Sequence, residues 1–223
     1  YLLKKAVDDT KDQSYVLYML TQEQLAHVKL PLGGLRKDQV RVIAEKHGFI
    51  NARKHDSQDI CFVPDGDYAK FIEKYTGKKT PEGAFVDKEG NYIGRHKGII
   101  HYTIGQRRGL GIPAASRLYV CEISPKTNTV VLGDNADLFS SELEADSVNL
   151  ISVDCLAEPK RVTAKIRYRH KEQPATAWQT QDGILHVKFD EPQRAITKGQ
   201  AVVMYDGDEV VGGGVINKIY SQS

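Results

Sequence analysis

The first third of the chain carries hydrophobic residues at helical spacing. Apolar side chains at three- and four-residue steps predict a helix over residues 14–24, which Pro31 and the glycines after it end. A second helix is predicted over residues 37–47, where one apolar stripe is separated from the charged side chains and Gly48 follows the last turn. The N-terminal part of the chain is therefore expected to be helical.

A short third helix is expected before the period of the pattern changes. Its apolar residues stand at positions i, i+3, i+4 and i+7, and Asp67 and Gly77 suit its two ends. These apolar residues are Tyr68, Phe71, Ile72 and Tyr75. From Gly83 onward the period becomes strand-like, so a β-rich region is expected to follow.

Two hairpins and one further β-rich run are predicted between residues 83 and 140. Short apolar segments flank turn residues at 88–91 and again at 124–128, as they do in β-hairpins. The additional run precedes a glycine-rich segment. The predicted strands cover residues 84–87, 92–94, 98–104, 118–123 and 129–132.

Six short strands separated by Gly, Pro and Asp turns are predicted after residue 147, and their density indicates a small closed barrel. They cover residues 148–153, 161–170, 175–180, 184–189, 201–205 and 210–219. The expected fold class is α+β. Its three parts are a helical segment over residues 1–82, a small β-rich domain over 83–144 and a six-stranded β-barrel over 145–223.

Composition sets only wide limits on function. Lys and Arg number 31 and Asp and Glu 29, so the net charge of +2 says less than the distribution of charge. With 40% hydrophobic residues, intrinsic disorder is not expected. No apolar run approaches the roughly 20 residues of a membrane span, and the first residues lack the apolar segment of a secretory signal. Three widely spaced cysteines suit a reducing compartment, so we expect a cytoplasmic protein.

The clearest sign of a ligand is a basic face in the predicted strand at 161–170. Period-two alternation puts Val162, Ala164, Ile166 and Tyr168 on one face and five cations among six positions on the other. That second face consists of Arg161, Thr163, Lys165, Arg167, Arg169 and Lys171. Charges about 6.5–7 Å apart can follow a phosphate backbone, but a solvated outer face explains the same pattern, and both interpretations stay open.

The glycine-rich loop at residues 105–111 is a second basic element. It contains Gln106, Arg107 and Arg108 between glycines, so its backbone could approach a phosphate closely. The spacing is not that of a Walker loop, and a tight turn between two strands is the simpler explanation. No zinc-site spacing of histidines and cysteines and no G-x-S-x-G elbow occurs in the sequence, so no metal and no hydrolase site are predicted.

Cys61 lies between a polar stretch and a short apolar run. Cations such as Lys54 and His55 would favour its thiolate, whereas two nearby aspartates would oppose it. A small core residue is the alternative interpretation. Cys121 and Cys155 lie inside predicted strands and are interpreted as packing residues.

Several segments share their order and spacing with one family. They cover residues 11–15 (KDQSY), 56–62 (DSQDICF), 101–111 (HYTIGQRRGLG), 167–169 (RYR), 189–192 (FDEP) and 199–203 (GQAVV). Through them the chain resembles the bacterial tRNA-specific 2-thiouridylases over nearly its whole length. The HYTIGQRRGLG run is the most specific of these segments.

The resemblance implies a sulfurtransferase reaction. ATP adenylates the C2 oxygen of the wobble uridine of a tRNA, a protein persulfide delivers sulfur to C2, and AMP leaves. A carbonyl oxygen is a poor leaving group until it is activated, and a persulfide is a strong, soft nucleophile. The implied partners are tRNA and a sulfur donor, either a cysteine desulfurase or a sulfur-relay protein, and disulfide chemistry is implied with them.

The resemblance also implies roles for individual residues. Cys61 matches the family's second catalytic cysteine, which carries the persulfide. The residues that match tRNA contacts are Lys11, Asp12, Gln13, Arg167, Tyr168 and Gln200. Just before Cys61 the chain has Gln58 and Asp59, where many relatives have Thr-Gly, so the local loop geometry transfers less well than the cysteine.

One departure from the family pattern is large. The ATP-binding pyrophosphatase loop of the Ser-Gly-Gly-Val-Asp-Ser type and the family's first catalytic cysteine do not occur in these 223 residues. We therefore expect a chain that starts at Tyr1 to be the C-terminal part of such an enzyme, inactive alone, with ATP as a co-substrate bound elsewhere.

Two other functions stay open. The first is a non-catalytic RNA-binding module with a translation-factor-like barrel. The second is a plain protein-interaction domain, for which Arg167→Ala and Arg169→Ala would barely change the affinity for tRNA.

Overall fold

A computed structural model describes residues 1–54, 63, 66–113 and 116–220 of the chain. Within them lie four short α-helices and ten strands. The helices are α1 (Ser14–Leu17), α2 (Gln22–His27), α3 (Lys37–Lys46) and α4 (Tyr68–Thr76). Short 3-10 turns occur at Asp9–Lys11, Ile99–His101 and Ala136–Leu138.

The single helix predicted over residues 14–24 is wrong, because the chain forms α1 and α2 instead. Thr21 lies between them and accepts a hydrogen bond at its side chain from the Gln24 N–H (3.2 Å). The Gln24 side chain accepts one in return from the Thr21 N–H (3.0 Å). This capping box begins a new helix at a residue where the apolar spacing alone predicts that the first one continues.

The two later helices confirm their predicted ends. Gly48 follows α3 with a φ of +71°, and Gly77 follows α4 with a φ of +67°, both in the left-handed region that favours glycine. At the start of α4, the Asp67 carboxylate accepts a hydrogen bond from the Lys70 N–H (3.0 Å). Local capping chemistry therefore sets these helix limits.

A four-stranded sheet forms the β-rich middle, in the order β2-β1-β4-β3. Its strands are β1 (Gly83–Val86), β2 (Tyr92–His96), β3 (Tyr119–Ser124) and β4 (Thr129–Gly133). Both predicted hairpins are confirmed, since β1 pairs antiparallel with β2 and β3 with β4. The parallel pairing of β1 with β4 joins the two hairpins into one sheet.

The predicted strand at residues 98–104 is wrong, because a 3-10 turn occupies Ile99–His101. The His101 N–H donates to the Gly98 carbonyl and the Tyr102 N–H to the Ile99 carbonyl, each at 3.2 Å. The turn brings Tyr102 edge-on to Phe85, with ring centroids 5.1 Å apart, in the core of this sheet. The apolar run therefore fills a core without joining the ladder.

The C-terminal region forms a closed barrel with the strand order β10-β5-β8-β7-β6-β9. Its strands are β5 (Phe139–Leu150), β6 (Lys160–Lys165), β7 (Gln173–Gln179), β8 (Leu185–Arg194), β9 (Ala201–Asp206) and β10 (Glu209–Ile219). β10 pairs antiparallel with β5 and β9, β6 with β7 and β9, and β7 with β8. The prediction of a six-stranded barrel in an α+β fold is confirmed.

The first barrel strand begins earlier than the predicted residues 148–153. In β5 the buried residues Leu143 and Ala145 alternate with Glu142, Glu144 and Asp146. These three acidic residues therefore lie on the outward side of a half-buried strand.

The first residues of the chain pack on the barrel and bury the outer side of β9. Val203 and Tyr205 of this strand share a hydrophobic cluster with Leu3, Tyr15 and Tyr18. The Val210 N–H donates to the Leu3 carbonyl at 2.9 Å, so the contact includes backbone hydrogen bonds. All four residues from 202 to 205 are buried as a result, and β9 is apolar on both faces.

The chain divides into two compact units. One comprises residues 1–54, 140–193 and 197–220, and the other the described part of 55–139 with 194–196. The predicted domain limits after residues 82 and 144 stay a prediction. In the part of the chain that the structure describes, no helix is both long and apolar enough to cross a bilayer.

Candidate RNA-binding surface

The predicted tRNA-contacting segment at residues 11–13 is held in place by Asp12. Its carboxylate accepts hydrogen bonds from the N–H groups of Ala6 (3.0 Å) and Ser14 (3.2 Å) and from the Ser14 hydroxyl (2.5 Å). The Ser14 hydroxyl also lies 3.3 Å from the hydroxyl of Tyr205 in β9. Asp12 therefore anchors the segment, while the side chains of Lys11 and Gln13 on either side of it are exposed.

Gln13 connects this segment to the second predicted contact. Its side-chain amide donates a hydrogen bond of 2.5 Å to the hydroxyl of Tyr168, 155 residues further along the chain. The ring of Tyr168 meets Tyr15 edge-on, with centroids 6.1 Å apart. Tyr15 in turn donates to the Ala201 carbonyl at 2.9 Å. Two segments identified separately in the sequence thus form one surface.

Arg167, next to Tyr168 in the chain, contacts the turn that contains Gln200, the third predicted contact. Its guanidinium donates to the Thr197 hydroxyl at 3.4 Å. The Gln200 N–H donates to the Thr197 carbonyl at 3.2 Å, and the Gln200 carbonyl accepts from the Ile216 N–H at 2.8 Å. The Gln200 side chain is exposed at the start of β9. These contacts place Arg167 and the turn before β9 side by side.

The predicted basic face of residues 161–171 is wrong in its geometry. β6 ends at Lys165, and a turn closed by the His170 N–H and the Arg167 carbonyl (3.1 Å) follows it. Alternation holds as far as the buried Ile166, but Tyr168, predicted on the apolar face, is 39% exposed. The cations beyond Lys165 therefore belong to a turn rather than to a strand ridge.

Acidic side chains also lie against the first half of that face. Arg161 forms an ion pair with Asp190 at 2.7 Å. Thr163 donates to Glu172, whose carboxylate pairs with Lys5 at 2.7 Å. Arg169 and Lys171, by contrast, are exposed and form no ion pair within the described ranges. Two exposed cations without an ion pair to any described residue therefore lie in the turn after β6.

His170 in this turn is expected to be uncharged at neutral pH. Burial is the main cause that lowers the pKa of its imidazole, and the charges of Arg167 and Lys165 lower it further. Its buried Nδ1 has no hydrogen-bond partner among the described residues. The positive charge of the turn at pH 7 therefore comes from its Arg and Lys side chains.

The surface offers groups that suit RNA. Guanidinium and ammonium groups bind phosphates, while the Tyr168 ring and the Gln13 amide offer stacking and hydrogen bonding to a base. We call residues 11–13, Arg167 to Lys171 and Gln200 the barrel surface. Within the described residues no group of three or more His, Cys, Asp or Glu side chains could hold a metal ion.

Of the three cysteines, Cys61 lies outside the described residues. Cys121 is half-buried in β3, where burial, followed by the nearby Asp137 charge, raises the pKa of its thiol to about 11. The interpretation of Cys155 as a packing residue is wrong. It is exposed in the loop between β5 and β6, because β5 ends at Leu150.

Comparisons with known proteins agree with this architecture. Three family models match consecutive parts of the chain: the tRNA methyl transferase HUP domain over residues 1–65, the tRNA methyl transferase PRC-barrel domain over 69–134 and the aminomethyltransferase beta-barrel domain over 140–216. The tRNA-specific 2-thiouridylase MnmA of Clostridioides difficile is 58% identical over 218 residues. That of Acetivibrio thermocellus is 56% identical over 216 residues. The chain belongs to the MnmA family of tRNA-specific 2-thiouridylases.

The chain covers only part of these MnmA proteins. The matches include 98% and 97% of the chain but 60% of the length of each relative. Two residues that contact the barrel surface, Tyr15 and Thr197, were assigned no role from the sequence. Tyr15 has the spacing of an ordinary helix residue, and Thr197 is a single hydroxyl in a turn, so only the folded structure shows that they support Tyr168 and Arg167.

Proposed function

We propose that this chain takes part in the 2-thiolation of the wobble uridine of tRNA. The barrel surface holds the RNA, and Cys61 carries the sulfur as a persulfide. The observation that carries the proposal is the 2.5 Å hydrogen bond between Gln13 and Tyr168. It joins two segments that resemble tRNA contacts of the MnmA family but are far apart in the sequence.

The supporting chemistry lies in the turn after β6. Arg167, Arg169 and Lys171 bring three cations within five residues, next to the exposed ring of Tyr168. Phosphate contacts supply affinity without sequence information, whereas a base stacked on an aromatic ring contributes selectivity. Lys11, Asp12, Gln13 and Gln200 complete the proposed tRNA contacts.

The remaining steps follow the chemistry of the relatives. ATP is proposed as the co-substrate that activates the C2 oxygen of uridine, and a cysteine desulfurase or a sulfur-relay protein as the sulfur donor. The donor's persulfide passes its outer sulfur to the Cys61 thiol and returns to a thiol itself. A cytoplasmic location and the three-part division of the chain are proposed together with this role.

A double-mutant cycle tests the RNA-binding part of the proposal. The affinity of this chain for an unmodified transcript of a tRNA with a wobble uridine is measured for Gln13→Ala, Tyr168→Phe and the double variant. Each single change is expected to weaken binding about 3- to 10-fold, and the two effects should couple by about 0.5–1.5 kcal/mol because they remove the same hydrogen bond. Tyr92→Phe, on an exposed tyrosine of β2, is the control and should have no effect. Unchanged affinity in all variants would contradict the proposed surface.

A mass measurement tests Cys61. The chain is incubated with a cysteine desulfurase and free cysteine, and tryptic peptides are examined for the mass of one added sulfur. We expect the addition on Cys61 and its loss in Cys61→Ser, while Cys155→Ser, which removes the exposed thiol, leaves it unchanged. Sulfur found on Cys155 alone would favour a non-catalytic RNA-binding module.

A further inference from the structure

The glycine-rich loop that follows His101 is fixed in one conformation by Gln106. The Gln106 side-chain amide donates to the Arg108 carbonyl at 2.9 Å, and its oxygen accepts from the Thr103 N–H at 3.0 Å. Its backbone carbonyl accepts from the Val120 N–H at 2.9 Å, which ties the loop to β3. These hydrogen bonds hold the loop against β3 within the β-rich unit.

Beside this loop lies a cavity of about 350 Å³. It is lined by Arg107, Gly109, Leu110, Gly111, Ile112, Ser116, Arg117 and Leu118. No carboxylate is among these described lining residues, and neither arginine forms an ion pair within the described part of the chain. Two uncompensated guanidinium groups at one cavity favour an anionic ligand.

Three apolar side chains are also among the lining residues. Leu110, Ile112 and Leu118 pack against the core cluster of the four-stranded sheet. Gly109 and Gly111 have φ values of +76° and +71°, so the loop follows a path that a residue with a Cβ would adopt only with strain. The cavity thus combines three apolar side chains with two cationic ones, and its volume lies within the range of small-ligand sites.

We propose that this cavity is a second RNA contact, which takes one nucleotide of the tRNA. Arg107 and Arg117 hold its phosphate, and the ribose or base packs on Leu110, Ile112 and Leu118. A phosphate alone would leave these three side chains without a partner, so a nucleoside phosphate is the chemistry that fits. The inference rests on the proposed function, which makes tRNA the ligand of this chain. A free mononucleotide presents the same phosphate, ribose and base, so the test below measures its binding separately.

The test compares charge-matched variants of the 223-residue chain. One carries Arg107→Ala with Arg117→Ala, and the control carries Lys97→Ala with Lys126→Ala, two exposed cations of the same unit outside the cavity. Binding of the tRNA transcript is measured over a series of salt concentrations, and binding of AMP is measured separately. Thermal melting checks that both variants fold, and Arg107→Lys with Arg117→Lys tests whether charge restores binding.

We expect the cavity variant to bind tRNA about 10-fold more weakly, with the slope of log affinity against log salt reduced by 1 to 2. The control should change affinity less than 3-fold, the lysine variant should recover most of it, and AMP should not bind at 1 mM. Equal affinity of the cavity and control variants would overturn the inference. AMP binding that depends on both arginines, with tRNA affinity unchanged, would also overturn it.

Arg167→Ala, measured in parallel, separates this inference from the proposed function. Weaker tRNA binding by Arg167→Ala alone would contradict the cavity but support the barrel surface. Weaker binding by the cavity variant alone would support the cavity and contradict the barrel surface.

Discussion

Arg161 on β6 donates two hydrogen bonds of 2.7 Å to the two carboxylate oxygens of Asp190 on β8. The pair spans the intervening strand β7, whose Thr176 hydroxyl accepts a third hydrogen bond from the same guanidinium at 3.0 Å. The nearby guanidinium also lowers the pKa of the Asp190 carboxyl. A residue that begins the basic run in the sequence therefore brings no net charge to a ligand.

The first prediction separates paired from unpaired cations. Replacing Arg161 and Asp190 together by Ala removes no net charge, so tRNA affinity is expected to change less than about 2-fold. Arg169→Ala removes an exposed cation with no partner among the described residues and should weaken binding about 5-fold, with a salt slope lower by about 1. Filter binding at several salt concentrations measures both. Equal effects would contradict the assignment of the phosphate contacts to the unpaired cations of the turn.

The second prediction concerns the junction of the two hairpins. A Cβ built at Gly83 would lie 2.1 Å from the Asn128 carbonyl oxygen and 2.6 Å from the buried His96 ring. Gly83→Ala should therefore destabilise the chain by about 1–3 kcal/mol and lower its melting temperature. Gly94→Ala, in the adjacent strand β2, is the control, because its Cβ would meet Ile112 at an ordinary 3.6 Å. Similar melting temperatures for both variants would contradict the clash.

The third prediction concerns thiol reactivity. With a pKa of about 11, the Cys121 thiol holds very little thiolate at pH 8, and it is half-buried. Iodoacetamide should therefore modify the exposed Cys155 at least about 100-fold faster than Cys121. Peptide mass spectrometry after timed quenching measures both rates, and Cys155→Ser provides the control. Rapid labelling of Cys121 would contradict its environment in β3.

The fourth prediction concerns how the free energy of unfolding changes as the pH falls below 7. The pKa of His170 is lower in the folded chain than its ordinary 6.5, so the unfolded chain binds more protons as the pH falls through 6.5. This contribution to stability is present above pH 6.5 and is lost below it. His170→Gln should lose less stability than the native chain between pH 7 and 5.5, by less than about 1 kcal/mol because the site is partly exposed. Urea unfolding at each pH measures the difference, and parallel curves would contradict it.

Sequence reasoning succeeded where the controlling interactions are local. The Asp67 cap, the Gly77 terminator and both hairpin turns are formed by residues within a few positions of one another, and each is confirmed. Short strands separated by Gly, Pro and Asp turns were enough to predict the six-stranded barrel, because these turn residues act locally.

Errors arose where distant residues decide the outcome. Nothing near Arg161 in the sequence shows that its partner is Asp190, 29 residues away. The strand predicted to continue past Lys165 turns instead, and the distance between Gln13 and Tyr168 becomes known only when the first segment packs on the barrel. Cys61 and its role remain a prediction.

The burial of β9 on both faces has a practical consequence for dissecting this protein. An expression product that starts at the first barrel strand would expose the buried side chains of Val203, Tyr205 and Val210 to water. The side chains that cover them are Leu3, Tyr15, Tyr18 and Leu25. Such a truncation should aggregate unless the first 27 residues are supplied in trans or fused to it. The part of the chain that buries β9 on both faces is therefore discontinuous in sequence, because residues from the first 27 positions complete the packing of the barrel.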